Sequence, residues 1–146
     1  CIIVSGCALG VDAIAQEQCL KNCGKTVGVL GSGIDVDYPK TNTFLIGQIR
    51  RRGLLISEYP EGVEASPENF PIRNRIIVGL SKSVMAFDVR ARSGTQCTAS
   101  LACQADRNLL SIPYPLGTDF INNTLIKDGC YLVENGDDVR FLMNNF

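Results

Sequence analysis

The residues best suited to chemistry are two arginines that stand close together at the start of a predicted helix, in the segment 69–81. Pro71 favours the first turn of that helix, because it lacks an N–H group and its φ angle is already helical. Arg73 and Arg75 therefore lie in the first turns, with Asn74 between them. Free N–H groups and the helix dipole add to their charge, so the segment favours an anion such as phosphate. The alternative is an ordinary amphipathic helix whose arginines are simply solvated.

A second candidate anion site lies at the start of the next predicted helix. Ser93 is placed to cap this helix, and Gly94 would let a phosphate approach the first helical amides. Arg90 and Arg92 stand just before these residues, and Thr95 follows them. The pattern therefore predicts a second phosphate cradle.

Small residues at the ends of two earlier predicted strands belong to the same candidate site. Gly31 and Gly33 follow the second strand, where the absence of a side chain permits close approach to a ligand. Val36 stands where a GxGxxG dinucleotide fingerprint needs its third glycine, so a tight strand-to-helix turn is an equal alternative. Ser5 and Gly6 end the first strand.

Charge restricts where an anionic partner can bind. The chain has 14 basic and 15 acidic residues, a net charge of −1, so no global field attracts nucleic acid. Residues 73–92 hold five basic residues against one acid, so any such binding is expected to be local. The chain contains no histidine, which removes the commonest general base, and no enzyme activity is expected.

Apolar runs that alternate with helical spacings predict the elements that position these residues. They predict an α/β fold, Rossmann-like, with an open, mostly parallel sheet of five or six strands and helices on both faces. The first strand, residues 1–5, is apolar enough to be central, and the first helix is expected to end at Gly24. Residues 1–146 are expected to form a single domain. Ligands gather beyond the carboxyl ends of parallel strands, so the candidate loops are expected to meet at one edge with Ser57 and Glu58.

Cysteine spacing and hydropathy exclude two further classes of protein. The seven cysteines lack the paired CxxC spacing of zinc sites, so reduced thiols are expected, with no metal and no other cofactor. No run approaches the ~20 apolar residues of a membrane span, and the N-terminus lacks a signal-peptide pattern. A cytoplasmic protein with no membrane partner is therefore expected.

A set of motifs spans nearly the whole chain. The motifs lie at residues 5–12, 31–36 with Tyr38-Pro39, 57–60, 69–77 with 79–81, 92–95 with Thr98-Ala99, and 123–126 with Gly129. In this order and combination they resemble the DNA-processing protein A family, also called Smf, whose central domain is Rossmann-like. The resemblance implies a protein that binds single-stranded DNA, forms a homodimer, and protects incoming or processed DNA. It also implies a role in loading a RecA-type recombinase during natural transformation and recombination.

The resemblance also suggests a role for each candidate residue. Arg73, Arg75 and Arg92 would engage phosphates, the backbone at Gly33, Ser93 and Gly94 would cradle them, and Phe70 would stack a base. For Phe70 the alternative is a hydrophobic staple that packs against the following helix.

The chain departs from the family pattern at several positions. Leu9 occupies the position of an arginine thought to contact DNA, and Gln16 stands where many members have histidine. The loop at residues 113–115 differs from the usual Pro-Gly. The family's first strand, with its Gly-Ser-Arg motif, and any winged-helix domain are expected to be absent from this chain.

Two other functions compete with DNA binding. One is a nucleotide-binding or nucleotide-processing protein related to the LOG phosphoribohydrolases, although their Pro-Gly-Gly-x-Gly-Thr-x-x-Glu signature is absent. Glu58 could then act as an acid or base, but a pairing with an arginine such as Arg75 is expected instead.

The other competing function is an assembly surface formed by Phe120, Ile121, Leu125 and Ile126. Packing in the core explains these apolar residues equally well.

Overall fold

Strands and helices alternate along the whole chain in the computed structural model, which describes residues 1–146. The chain divides into two compact units, Cys1–Leu80 and Ser81–Phe146. None of the helices is long and apolar enough to cross a membrane.

The first unit contains three strands, each followed by a helix. Its elements are β1 (Ile2–Ser5), α1 (Val11–Lys21), β2 (Lys25–Val29), a 3₁₀ turn (Lys40–Asn42), α2 (Thr43–Arg52), β3 (Leu54–Ile56) and α3 (Asn69–Leu80). The strands form a parallel sheet in the order β1-β2-β3, with Ser5 opposite Gly28 and Gly28 opposite Leu55. The buried side chains of Leu20, Ile46 and Ile49 join α1 and α2 to this sheet in one apolar core.

The second unit repeats the alternation. Its elements are β4 (Ser83–Ala86), α4 (Gly94–Gln104), β5 (Asn108–Ser111), α5 (Asn122–Lys127), β6 (Tyr131–Leu132) and α6 (Gly136–Asn145). The strands form a second parallel sheet in the order β4-β5-β6. The fully buried Asn122 amide donates to the Ala86 carbonyl at 3.2 Å and to the Ser111 hydroxyl at 2.7 Å, which fixes α5 to the sheet.

The structure confirms an α/β fold with parallel strands and corrects two details of the predicted sheet. There are two sheets of three strands rather than one sheet of five or six. The first strand is not central, because β1 pairs with β2 alone and lies at the edge of its sheet. Apolar run length identifies a strand, but its neighbours are set by pairing between residues far apart in the chain. That residues 1–146 act as a single domain stays a prediction.

Candidate functional site

Three loops leave the carboxyl edge of the first sheet. Ser5 is the half-buried last residue of β1 and Gly6 follows it, Gly31–Gly33 follows β2, and Ser57–Glu58 follows β3. Because the three strands are parallel and adjacent, these loops lie at the same edge of the first sheet, as predicted. The loop at residues 90–94, which was predicted to share this edge, instead follows β4 of the second sheet. The Ser57 hydroxyl donates to the Ser32 carbonyl at 2.5 Å, so the second and third loops are tied together.

Arg73 reaches this edge from α3 and is buried there, with only 6% of its surface exposed. Its guanidinium donates to the carbonyl of Gly6 at 3.0 Å and to the carbonyl of Val29, and its Nε donates to Asn74 Oδ1 at 3.1 Å. Burial lowers the pKa of Arg73, and the nearby Asp12 carboxylate opposes that shift. The side chain therefore ties the ends of β1 and β2 to α3 and places a positive charge just beneath the surface.

Gly6 is required by this arrangement. A Cβ atom at Gly6 would lie 2.5 Å from Arg73 Nη2, closer than non-bonded atoms approach. The glycine predicted as a ligand-approach residue thus makes room for the protein's own arginine. Direct contact of Arg73 and Asn74 with phosphate stays a prediction.

Arg75 lies on the exposed side of the same helix. Its Nη2 atom forms an ion pair with Glu58 Oε1, and the two side chains are 57% and 42% exposed. The predicted pairing of Glu58 with Arg75 is confirmed. Exposed ion pairs are weak, on the order of 0–1 kcal/mol, so an incoming phosphate competes readily with the carboxylate for this arginine.

Phe70 forms a stack with Tyr38 at the start of α3. The ring centroids are 5.6 Å apart and the ring planes differ by 24°. Phe70 is half-buried, Tyr38 is 47% exposed, and the Arg73 Cζ atom lies 5.8 Å from the Phe70 centroid. The pair presents one aromatic ring to solvent beside a buried positive charge.

The glycines of the second loop are used for close packing within the protein. A Cβ atom at Gly31 would lie 2.8 Å from the Phe70 ring, and one at Gly33 would lie 2.6 Å from the Pro60 carbonyl oxygen. The Asn69 amide also donates to the Gly31 carbonyl at 2.9 Å. These contacts fit the alternative interpretation, in which Gly31 and Gly33 form a tight turn. A ligand-binding role for the two glycines stays a prediction.

The start of α4 carries the second candidate cradle, in the second unit. Ser93 caps the helix by accepting from the Gln96 N–H at 3.1 Å, as predicted. Gly94 is exposed, and a Cβ atom placed there would meet nothing within 4 Å. The first backbone amides of α4 are therefore open to approach by a ligand. Arg92 is exposed with φ at 61°, a left-handed conformation that non-glycine residues seldom adopt, and Thr95 is half-buried.

Aromatic side chains support the loop before α4. The Arg90 Cζ atom lies 4.9 Å from the Phe120 centroid, and the Tyr114 ring packs against Phe120 at 4.5 Å. The Tyr114 hydroxyl donates to the Asp88 carboxylate and accepts from the Asp88 N–H. Burial and the Asp88 contact raise the pKa of Tyr114. The roles of Tyr114 and Tyr38 could not be predicted from the sequence, because a lone tyrosine carries no signal of its contacts.

Taken together, these features define a mixed α/β protein with two parallel sheets, in which a buried arginine and a stacked aromatic pair lie at the carboxyl edge of the first sheet and an arginine-flanked helix N-terminus follows β4 of the second. The chain belongs to the DNA recombination-mediator protein A family, whose family model matches residues 1–144. The resemblance predicted from the motifs is thereby confirmed.

Curated relatives show the extent of this similarity. The chain is 41% identical over 140 residues to Protein Smf of Synechocystis sp., covering 94% of this chain and 33% of that protein. It is 40% identical over 140 residues to DNA processing protein DprA of Streptococcus pneumoniae, covering 94% of this chain and 50% of that protein. The chain therefore spans a third to a half of the length of these relatives.

Solved structures agree with the sequence comparison. The X-ray structure of DNA processing protein A from Streptococcus pneumoniae matches with a TM-score of 0.87 and 38% identity, covering 94% of this chain and 50% of that one. DNA processing protein A from Helicobacter pylori, a protein with a unique single-stranded DNA binding mode, matches with a TM-score of 0.89 and 31% identity. That match covers 99% of this chain and 67% of the other.

Proposed function

We propose that this chain binds single-stranded DNA through two surfaces, the carboxyl edge of the first sheet and the start of α4. The observation that carries the proposal is the Tyr38–Phe70 stack beside the buried charge of Arg73. Single-strand binding requires aromatic faces for bases and positive charge for the backbone, and this edge supplies both. The relative from Helicobacter pylori, which binds single-stranded DNA, supports the same function.

The start of α4 fits a phosphate of the backbone. The open amides at Gly94 carry the positive end of the helix dipole, and the exposed Arg92 adds a full charge beside them. Arg75 supplies a further exposed cation on the first unit. In this proposal the protein contacts the phosphates of the backbone and the flat faces of the bases. It makes no contact that requires base pairing, so a duplex is not expected to bind more tightly than a single strand.

Titration of the purified chain with fluorescent single-stranded and duplex oligonucleotides, at several salt concentrations, tests the proposal. We expect tighter binding of the single strand, with log affinity falling by roughly 0.7 per phosphate contact for each tenfold rise in salt. Arg75→Gln and Arg92→Gln should each lower the slope by about that amount.

Arg51→Gln is the matched control. Arg51 is an exposed arginine in the last turn of α2, just before β3 begins, and so lies at the opposite edge of the first sheet. Its removal should leave affinity and slope unchanged. Equal affinity for duplex and single strand, or equal effects of all three substitutions, would contradict the proposal.

The proposal extends to the biology of the family. A non-enzymatic protein of the cytoplasm that forms a homodimer, protects single-stranded DNA and helps load a RecA-type recombinase fits the family description as a recombination mediator. The DNA-binding proposal is preferred to the nucleotide-processing alternative because the candidate acid or base, Glu58, pairs with Arg75 and the LOG signature is absent. No hydrolysis of nucleotides by the purified chain is therefore expected.

A further inference from the structure

We propose that Tyr114 is a positioning residue for the phosphate cradle at the start of α4. Its hydroxyl holds the Asp88 carboxylate, so that this acid does not neutralise the two arginines of the cradle, Arg90 and Arg92. Tyr114 lies in the second unit, in the loop that follows β5. The inference rests on the proposed function and adds a residue that controls the charge of its second surface.

Asp88 is the acid best placed to compete with DNA for these arginines. It is the one acidic residue of the segment 73–92, and it lies two residues before Arg90 and four before Arg92. All three residues are exposed. An ion pair between this carboxylate and either guanidinium would withdraw one positive charge from the cradle. Neither arginine forms an ion pair with Asp88, however.

The Tyr114 hydroxyl holds Asp88 in two ways. It donates to the Asp88 carboxylate, and it accepts from the Asp88 N–H at 3.2 Å. Asp88 has φ at 47°, a left-handed conformation that non-glycine residues seldom adopt. A neutral hydroxyl therefore fixes both the backbone and the side chain of this residue, and it satisfies the carboxylate without using a cationic side chain.

Tyr114 is itself held firmly. Its N–H donates to Asn123 Oδ1 at 2.9 Å, and the Asn123 amide donates to the Tyr114 carbonyl at 2.7 Å. Its ring packs on Phe120 with the centroids 4.5 Å apart, and the Arg90 Cζ atom lies 4.9 Å from the Phe120 centroid. One ring of this pair thus holds the acid by its hydroxyl, and the other holds a cation against its face.

A double-mutant cycle tests the inference, with affinity for a single-stranded oligonucleotide measured over a range of salt concentrations. Tyr114→Phe keeps the ring on Phe120 but removes the hydroxyl, which frees the Asp88 carboxylate to pair with an arginine. We expect affinity to fall about two- to fivefold at low salt. The salt slope should fall by up to roughly 0.7, the value of one lost phosphate contact.

The second substitution, Asp88→Asn, removes the competing charge and suits the left-handed backbone. In the Tyr114→Phe background it should restore both the affinity and the salt slope. In the wild-type background, where the carboxylate is already held, it should change affinity by less than about twofold. The two substitutions are therefore expected to be strongly non-additive.

Two matched substitutions serve as controls. The Thr118 hydroxyl donates to the Pro115 carbonyl at 3.1 Å, so Thr118→Val removes a hydroxyl from the same loop and leaves the contact with Asp88 in place. Asp106 is exposed and also left-handed, with φ at 52°, but it lies beyond the far end of α4. Asp106→Asn therefore makes the same change of charge at a remote position. Neither substitution should change the affinity or the slope.

The outcomes distinguish the inference from the function on which it rests. Wild-type affinity and slope in Tyr114→Phe would overturn the inference. A loss that Asp88→Asn fails to restore would also overturn it, because the hydroxyl would then only brace the loop. Both results leave the proposed function standing, whereas failure of the wild-type chain to bind the oligonucleotide would overturn the proposed function and this inference with it.

Discussion

The side chain of Arg73 is buried, which is unusual for an arginine. Arginines are almost never fully buried unless they are paired, yet this guanidinium is satisfied by the carbonyls of Gly6 and Val29 and by Asn74 Oδ1. Its charge is held at the carboxyl edge of the sheet at the cost of desolvation. Arg73 thus ties β1, β2 and α3 together, whereas Arg75 is exposed and forms only a surface ion pair.

The stability of the two arginine variants should differ accordingly. Arg73→Met leaves two buried carbonyls without their charged donor, and we expect it to lower the free energy of unfolding by about 3 kcal/mol. Arg75→Met breaks only an exposed ion pair, and we expect about 0–1 kcal/mol. Urea denaturation of both variants checks this, and equal losses would show that Arg73 is not held as described.

Cys7 makes stability depend on pH. Burial raises the pKa of its thiol from the ordinary 9.0 to about 11. The unfolded chain therefore releases this proton at a lower pH than the folded chain, so the contribution is fully present below pH 9 and is lost between pH 9 and 11. Because other groups titrate in the same range, the measured quantity is the difference between wild type and Cys7→Ala. That difference should fall by about 2–3 kcal/mol across the window, and a constant difference would refute the assignment.

At the scale of elements, helix ends are set by side chains that the sequence pattern only partly reveals. α4 is capped by Ser93, as its position before a helical run predicted. α1 ends differently from the prediction. Cys23 takes the left-handed position with φ at 59°, and the Gly24 N–H bonds to the Cys19 carbonyl at 2.8 Å. Gly24 is thus one residue beyond the position expected for it.

The cap of α4 should affect both stability and binding. Ser93→Ala removes the acceptor for the Gln96 N–H, and we expect a loss of about 1 kcal/mol in stability. The first turn would fray, and affinity for single-stranded DNA should fall roughly two- to fivefold. Asn135→Ala is the control, since Asn135 caps α6 by accepting from the N–H groups of residues 137 and 138. Asn135→Ala should lower the free energy of unfolding by a similar amount without changing the affinity for single-stranded DNA. An equal loss of affinity in both variants would show that the start of α4 does not bind the DNA.

The fold was predictable where the signal is local. Each strand and helix follows from apolar runs, glycines and caps, and the shared edge of β1, β2 and β3 follows from their parallel direction. The grouping of strands into two sheets depends on pairing between distant residues, which periodicity does not encode. The burial of Arg73 and the stacking of Tyr38 on Phe70 were equally hidden, because both depend on which loop approaches α3.

At the scale of the whole molecule, a net charge of −1 restricts DNA binding to local surfaces. We expect these surfaces to be the carboxyl edge of the first sheet, where α3 begins, and the start of α4. Affinity should therefore be modest and steeply dependent on salt.

The most direct test of the central claim is to map amide chemical shifts of the isotopically labelled chain by nuclear magnetic resonance while single-stranded DNA is added. We expect the shifts to concentrate at residues 6–9, 31–40, 69–75 and 90–96. Shifts confined to α5 and α6, or no shifts at saturating DNA, would contradict it.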